Sequence, residues 1–279
     1  MKQILELIRK TSCILPVDVK NALVSCYNEE SYSLSKQALK IILENCDLAE
    51  KKSQPICQDT GMPLFKVYAN ENINRSLIRE QIKDAVREAT ELGYLRKNTV
   101  NSLTGHSEVD NIGIEIPQIY FIDIDNDSSK IKLLLKGGGC ENKSIQYSLP
   151  CEIKGLGRAD RDLQGVYKCI MHSIYSAQGQ GCSPAFLGVA IGGDRGSSYQ
   201  FAKEQLFREI DDKNPCKEIA ILEEKILEDS KKLKIGTMGF GGDFSVLSCK
   251  IGHIHRIPAS FFVSISYNCW ALRRGEINL

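Results

Sequence analysis

The chain has almost no net charge. Its 279 residues carry 36 basic and 35 acidic side chains, a formal charge of +1. That gives no electrostatic case for binding nucleic acid or an anionic membrane surface. No uninterrupted apolar run approaches the roughly 18–20 residues of a membrane span. The amino terminus, Met1-Lys-Gln-Ile-Leu-Glu-Leu-Ile-Arg-Lys10, alternates charged and apolar residues and lacks a signal-peptide core. A cytoplasmic protein is the default expectation. Internal repeats, low-complexity stretches and long linkers are missing too, so a single unit over residues 1–279 is expected. Finally, the eleven cysteines include no Cys-x-x-Cys pair, which disfavours zinc ribbons, zinc knuckles and ferredoxin-like cluster runs. The cysteine count is odd and there is no export signal, so the thiols read as free, catalytic or metal-bound rather than as disulfides. Any metal site must be assembled from residues distant in sequence.

What is present is the composition of a soluble globular protein, 42% hydrophobic and 25% charged. Residues 1–50 read as helices. Ile4, Leu5, Leu7 and Ile8 form one stripe, Pro16 opens a second helix, and Ala38, Leu39, Ile42 and Leu43 mark a third over Leu34–Leu48. Residues 55–63 break that pattern, and Leu64–Ala69 reads as a strand. Asn74–Leu92 is an amphipathic helix with Leu77, Ile78, Ile82, Ala85 and Ala89 on one side and Gly93 at its carboxyl cap. Strands are expected at Ile112–Ile116, Ile119–Ile124, Ile131–Leu135, Phe186–Ile191, Phe244–His253 and Ser260–Tyr267, with a turn at Asp125–Ser129. Helices are expected at Arg161–Ala177, Ser198–Ile210 and Pro215–Leu233. The pattern predicts an α+β fold: a helical amino-terminal layer, then a mixed sheet with flanking helices.

Three cysteines stand in settings marked by glycine, proline or an aromatic residue. Cys57 lies in Gln54-Pro-Ile-Cys-Gln-Asp-Thr-Gly61, beside an amide and a carboxylate. Cys182 lies in Gly179-Gln-Gly-Cys-Ser-Pro184, where exposed N–H groups could approach cluster sulfides. Cys269 lies in Ser266-Tyr-Asn-Cys-Trp-Ala-Leu-Arg-Arg274. For each the plainer reading is a small buried thiol in a turn or at a strand end, with a solvated basic tail after Cys269. Cys13, Cys26, Cys46, Cys169 and Cys249 fall within regular elements, Cys151 and Cys216 follow prolines in expected loops, and Cys140 sits inside a glycine run. That run, Lys136-Gly-Gly-Gly-Cys-Glu-Asn-Lys-Ser144, lacks the P-loop pattern because Asn142 stands where glycine is needed. Its backbone around Gly138 and Gly139 can approach a carboxylate, and Glu141, Asn142 and Lys143 can add side-chain contacts. Gly192-Gly-Asp-Arg-Gly-Ser197, between a strand and a helix, reads as an anion cup or as a tight turn, and Gly236–Gly242 carries the same ambiguity. His253 and His255 are at strand spacing, a weak zinc signal without a third ligand.

Taken together, these blocks resemble the α subunit of the iron–sulfur (class I) fumarases and L-tartrate dehydratases. The resemblance rests on the motifs at residues 54–61, 136–144, 181–184 with 188–193, 239–242, and 258–260 leading to 269–274, in the family's order from about residue 50 onward. It implies a [4Fe–4S] cluster held by Cys57, Cys182 and Cys269, with one iron open to substrate. It implies that Gln58, Asp59 and Arg96 line a pocket for a small dicarboxylic hydroxy acid, malate/fumarate or tartrate, with Gln58 and Asp59 in catalytic roles. Arg96 and the glycine loop (Gly138, Gly139, Asn142) are then the candidates for holding the carboxylates. No compelling base stands among the matched residues. Longer members carry a further carboxyl-terminal domain that supplies one, so the resemblance implies a separate β subunit and an αβ or α2β2 assembly. Two departures accompany it. Ser183 stands where the family has proline, and Ile257 stands where it has histidine, so either His255 takes that role through a local bulge or the role is reduced or lost. A non-catalytic iron–sulfur sensor is the rival expectation, and retention of Gln58, Asp59 and Arg96 argues against it.

Overall fold

The computed structural model describes residues 1–126 and 128–279, so part of the turn expected at Asp125–Ser129 lies outside the described residues. Helices fill the first fifty residues as expected. α1 (Lys2–Cys13) buries Ile4, Leu7, Ile8 and Thr11, positions three and four apart that share a helix face. α2 (Val17–Glu29) starts directly after Pro16, and α3 (Ser33–Lys52) follows. The chain continues through β1 (Met62–Ala69), α4 (Arg75–Glu91), β2 (Gln118–Asp123), β3 (Lys130–Lys136), α5 (Gly138–Glu141), β4 (Ile145–Ser148), β5 (Cys151–Ile153) and β6 (Gly157–Ala159). Then come α6 (Leu163–Ala177), β7 (Ala185–Ile191), α7 (Arg195–Gln205), α8 (Lys217–Lys231), β8 (Val246–His253), β9 (Phe262–Asn268) and β10 (Arg273–Asn278). Among the described residues no helix is long and apolar enough to cross a membrane.

The fold is α+β, and its contacts group into two compact units. The first comprises Met1–Val17, Glu44–Gly138 and Ala271–Leu279, the second Asp18–Leu43 and Gly139–Trp270. The single mixed sheet expected from the sequence is in fact two. The first unit holds a sheet of order β10-β3-β1-β2, in which β1 and β2 are parallel and the other pairs antiparallel. Leu133, Leu135, Phe65 and Val67 pack with Ile4, Leu7 and Ile8 of α1 and with Ile82, Ala85, Val86 and Ala89 of α4. The second unit holds a sheet of order β4-β9-β7-β8 with β7 and β8 parallel, and a small β5-β6 hairpin. β7 is buried along its whole length, as its continuous apolar run requires.

Four local expectations are corrected. Residues 112–116 form no strand, because Asn111 and Glu115 take positive φ (62° and 60°) and only a Gly113–Ile116 bridge closes the loop. Leu77 is 54% exposed rather than on the buried stripe, since it lies in the first turn of α4, donating its N–H to the cap Asn74. Cys151 begins a strand rather than lying in a loop. The tail after Cys269 is no solvated segment: it adds β10 to the edge of the first sheet, with Arg273 1% and Arg274 8% exposed.

Candidate functional site

Each sheet gathers its site segments at one end. In the first unit β1, β2 and β10 begin, and β3 stops, at the same end. The turn carrying Cys57, Gln58 and Asp59 feeds β1, Gly137 and Gly138 leave β3, and Arg273 opens β10. Gly61 ends that turn at φ +80°, and a Cβ there would meet the β3 backbone at Leu135 and Lys136 at 2.9 Å, so only glycine lets the turn lie so close. The Gly61 N–H donates to Asp59 Oδ1 at 3.1 Å. Asp59 also borders Gly138, where an added Cβ would stand 3.9 Å from Oδ2. Arg96 clamps the turn twice: its backbone N–H donates to Thr60 Oγ1 at 3.0 Å and its Nη1 to the Gln58 carbonyl at 3.2 Å. The fully buried Thr60 also accepts from Asn98 Nδ2 at 2.9 Å. Thus Gln58, Asp59, Arg96 and Gly138 come together, organised by Thr60, which the motif alone does not single out. Its signal was a short hydroxyl between the Gln-Asp pair and the glycine.

In the second unit β7 and β8 begin and β9 stops at one end, and the glycine loop enters β4 there. Cys182 follows a single 3-10 turn and holds left-handed backbone angles (φ 55°, ψ 61°). Its carbonyl accepts the Trp270 N–H at 3.2 Å, which seats Cys182 beside Cys269. Tyr267 lies under both: a Cβ on Gly181 would overlap its ring. Burial, together with the thiols of Cys269, Cys140 and Cys182, pushes the Tyr267 hydroxyl's pKa far up. The Tyr267 N–H donates to Ser144 Oγ at 3.1 Å, fixing the loop's exit, and Lys203 of α7 pairs with Glu141 at 2.5 Å. Gly139 and Asn142 are exposed on this loop, whereas Cys140 is buried in the core.

Cys57, Cys182 and Cys269 are each half-buried, whereas Cys13, Cys26, Cys46, Cys169 and Cys249 are buried within helices or a strand. Burial pushes the Cys169 thiol up to about 12 and raises those of Cys26 and Cys249 as well, which suits inert packing. Among the described residues no three His, Cys, Asp or Glu side chains group as ligands of one metal ion. A cubane asks for a different donor set, thiolates each on its own iron in glycine-rich loops. In the second unit the Cys182–Trp270 bond brings half-buried Cys182 and Cys269 close along the backbone, and in the first unit half-buried Cys57 stands in the Gly61-closed turn.

Other candidates resolve toward their plainer readings. Asp194 caps α7, accepting from Gly196 N–H at 2.8 Å and Ser197 N–H at 3.3 Å. The Gly192 and Gly193 N–H groups donate to the carbonyls of Phe262 and His255. The helix terminus therefore satisfies its own donors and is a turn rather than an anion cup. In the 236–242 loop, Met238 N–H donates to the Ser183 carbonyl and Thr237 N–H to Ser35 Oγ, so that loop braces the Cys182 turn. His253, His255 and Ile257 are exposed and lie at the opposite end of the second sheet from Cys182 and Cys269. The seven residues of β9 separate the two ends, about 20 Å of strand. Ile257 lines a cavity of about 740 Å³ there with Arg195, His255, Arg256 and Phe262.

Comparison with known proteins agrees with this geometry. The family profile described as fumarate hydratase (Fumerase) matches residues 1–278. The chain is 53% identical, over 98% of its length, to a provisionally named class I fumarate hydratase of Geobacillus stearothermophilus, and spans 54% of that protein. It is 39% identical to a provisionally named L(+)-tartrate dehydratase α subunit of Methanocaldococcus jannaschii, over 98% of this chain and 94% of that one. The L(+)-tartrate dehydratase α subunit of Escherichia coli (strain K12) is 29% identical over 94% of this chain and 85% of its own. The chain belongs to the fumarate hydratase (Fumerase) family.

Proposed function

We propose that this member of the fumarate hydratase family is the cluster-bearing α component of a hydro-lyase that interconverts a hydroxy diacid and its dehydrated form. The chain matches α subunits nearly end to end but only 54% of the longer relative. Relatives named as α subunits support a β partner for this chain, in an αβ or α2β2 assembly in the cytoplasm. One observation carries the reading: the Cys182–Trp270 hydrogen bond that brings two cysteines of the proposed triad together beside the glycine loop.

In this reading Cys57, Cys182 and Cys269 hold a [4Fe–4S] cluster. When bound, the cluster supplies a Lewis-acidic iron that weakens the carbon–oxygen bond of a hydroxy acid. The chain's own residues do the rest. Arg96, already oriented by Thr60 and Gln58, offers its guanidinium to a carboxylate. Backbone N–H groups at Gly138 and Gly139 and the amide of Asn142 hold the other polar groups. Asp59, with Oδ1 engaged by Gly61, handles a proton at Oδ2, and the Gln58 amide orients the hydroxyl. The carbon base comes from the partner. Malate/fumarate and tartrate are the candidate substrates, and the Arg96 clamp favours this reading over a sensor, which needs no diacid pocket.

Anaerobic reconstitution with iron and sulfide tests it. About four irons per chain should bind, as a cubane requires. Cys57→Ser, Cys182→Ser and Cys269→Ser should each abolish binding, whereas Cys26→Ser and Cys169→Ser should not. A chain that needs Cys140 but not Cys269 overturns the assignment.

A further inference from the structure

Two thiols outside the proposed triad meet within the second unit. Cys151 opens β5 and is half-buried, packed against the core of that unit, whereas Cys169 lies in α6 and is fully buried. They stand eighteen positions apart in the chain, yet the Cys169 S–H donates a hydrogen bond to the Cys151 sulfur. The fold enforces this contact. The β5-β6 hairpin sets Cys151 opposite Ala159, and the chain then turns back so that α6 packs against both strands. Gly165 lets that turn be tight, since a Cβ there would stand 2.0 Å from the Asp160 carbonyl oxygen. Beside Cys169, Lys168 Nζ donates to the Arg158 carbonyl at 2.6 Å and clamps the helix to β6. Beside Cys151, Arg161 Nε donates to the Leu149 carbonyl at 3.0 Å and ties the start of the hairpin to the approach of α6.

A disulfide brings two sulfurs to about 2 Å, with their Cα atoms within about 7 Å. Thiols in hydrogen-bond contact on clamped elements have most of that approach built in. The two differ in access. A small oxidant reaches the half-buried Cys151 first, and the enclosed Cys169 stands behind it. Burial pushes both thiols up, so the pair ionises reluctantly and stays reduced until an oxidant arrives. Taken singly, Cys169 is inert packing. Next to an accessible sulfur it has the place of a resolving thiol.

We propose that Cys151 and Cys169 form a modification site, a dithiol that a peroxide closes to a disulfide. The Cys151 sulfur takes one peroxide oxygen, the O–O bond breaks, and the other oxygen leaves as water, so Cys151 becomes a sulfenic acid. The Cys169 sulfur then attacks the Cys151 sulfur. Its proton leaves with the displaced hydroxyl as a second water, and the S–S bond remains. Two thiols are oxidised by two electrons and one peroxide is reduced to two waters. The link ties the chain leaving β4 to the helix that leads into the Cys182 turn. It stands apart from the cluster assignment, since neither sulfur belongs to the proposed triad.

Hydrogen peroxide treatment of the full chain, followed by alkylation of remaining thiols and peptide mapping by mass spectrometry, tests this. The peptide holding Cys151 should appear joined to the one holding Cys169, and dithiothreitol should part them. Cys169→Ser should leave Cys151 as a sulfenic acid that a dimedone probe traps, and Cys151→Ser should leave Cys169 reduced. The closed wild-type chain should melt several degrees above the reduced one, because the link restricts the unfolded chain. If both thiols stay reduced in wild type under peroxide that oxidises its other accessible cysteines, the inference falls. A Cys151 linked to a different cysteine overturns it as well. A closed chain that melts lower has distorted the hairpin to make the bond, and the claim that the fold presents the pair ready to close is then lost.

Discussion

Single residues decide how closely the site segments approach their supports. Gly61 takes φ +80° with the β3 backbone 2.9 Å from where a Cβ would stand. Gly61→Ala should therefore destabilise by about 1–3 kcal/mol, read from the denaturant midpoint, and should loosen Arg96 from the turn. The motif displayed this glycine, but only the packed strand shows what it makes room for. Asp229 supplies a second test at this scale. Lys225, Lys232 and the Tyr167 hydroxyl donate to it at 2.6, 2.6 and 2.8 Å, and they hold its carboxyl well below the usual carboxylate range. A depressed carboxyl contributes stability that is fully present above its unfolded value, near about 3.9, and is lost as pH falls through the folded value. Asp229→Asn should lower stability at neutral pH, and its gap from wild type should narrow as pH drops below about 4. Paired denaturation curves at neutral and acid pH measure this.

At the scale of elements, the expected helices and buried strands of the chain are largely where the hydrophobic period put them, because a continuous stripe leaves few alternatives. The elements that escaped are short or carry no period of their own: β4, the β5-β6 hairpin and β10. β10 is instructive, since Arg273-Arg274 reads as polar tail chemistry and is held in a strand only by pairing with β3. The two main sheets also share one layout: a strand with a parallel neighbour on one side, an antiparallel neighbour on the other, and an edge strand antiparallel to that second neighbour. No repeated sequence announced it, because backbone pairing fixes strand order whatever the side chains. Capping decides a further point. Asp194→Ala should destabilise α7 by removing its cap yet leave cluster uptake unchanged, since that helix end is no ligand site. Lys203→Met should cost about 1–3 kcal/mol, because it removes an ion-pair partner of Glu141 on the glycine loop, and it should raise the KM of the assembled enzyme more than it lowers kcat.

For the whole molecule the decisive question is partnership. The chain spans about half of the longer fumarate hydratase it resembles and nearly all of the α subunits. It should show no turnover of malate, fumarate or tartrate alone and gain it on mixing with a β partner, in a coupled absorbance assay. Full activity of the isolated chain refutes the two-component reading. The sequence by itself determined the class of the fold and the family, and it singled out three cysteines to test, because helical periods and residue-specific motifs are local properties. Only the tertiary structure decided which segments share a sheet end. It joined Cys182 to Cys269 through Trp270, bound Arg96 to the Cys57 turn through Thr60, and sent Ile257 to the far end of the second sheet. Strand pairing and burial act between residues far apart in the chain, where no local pattern records them.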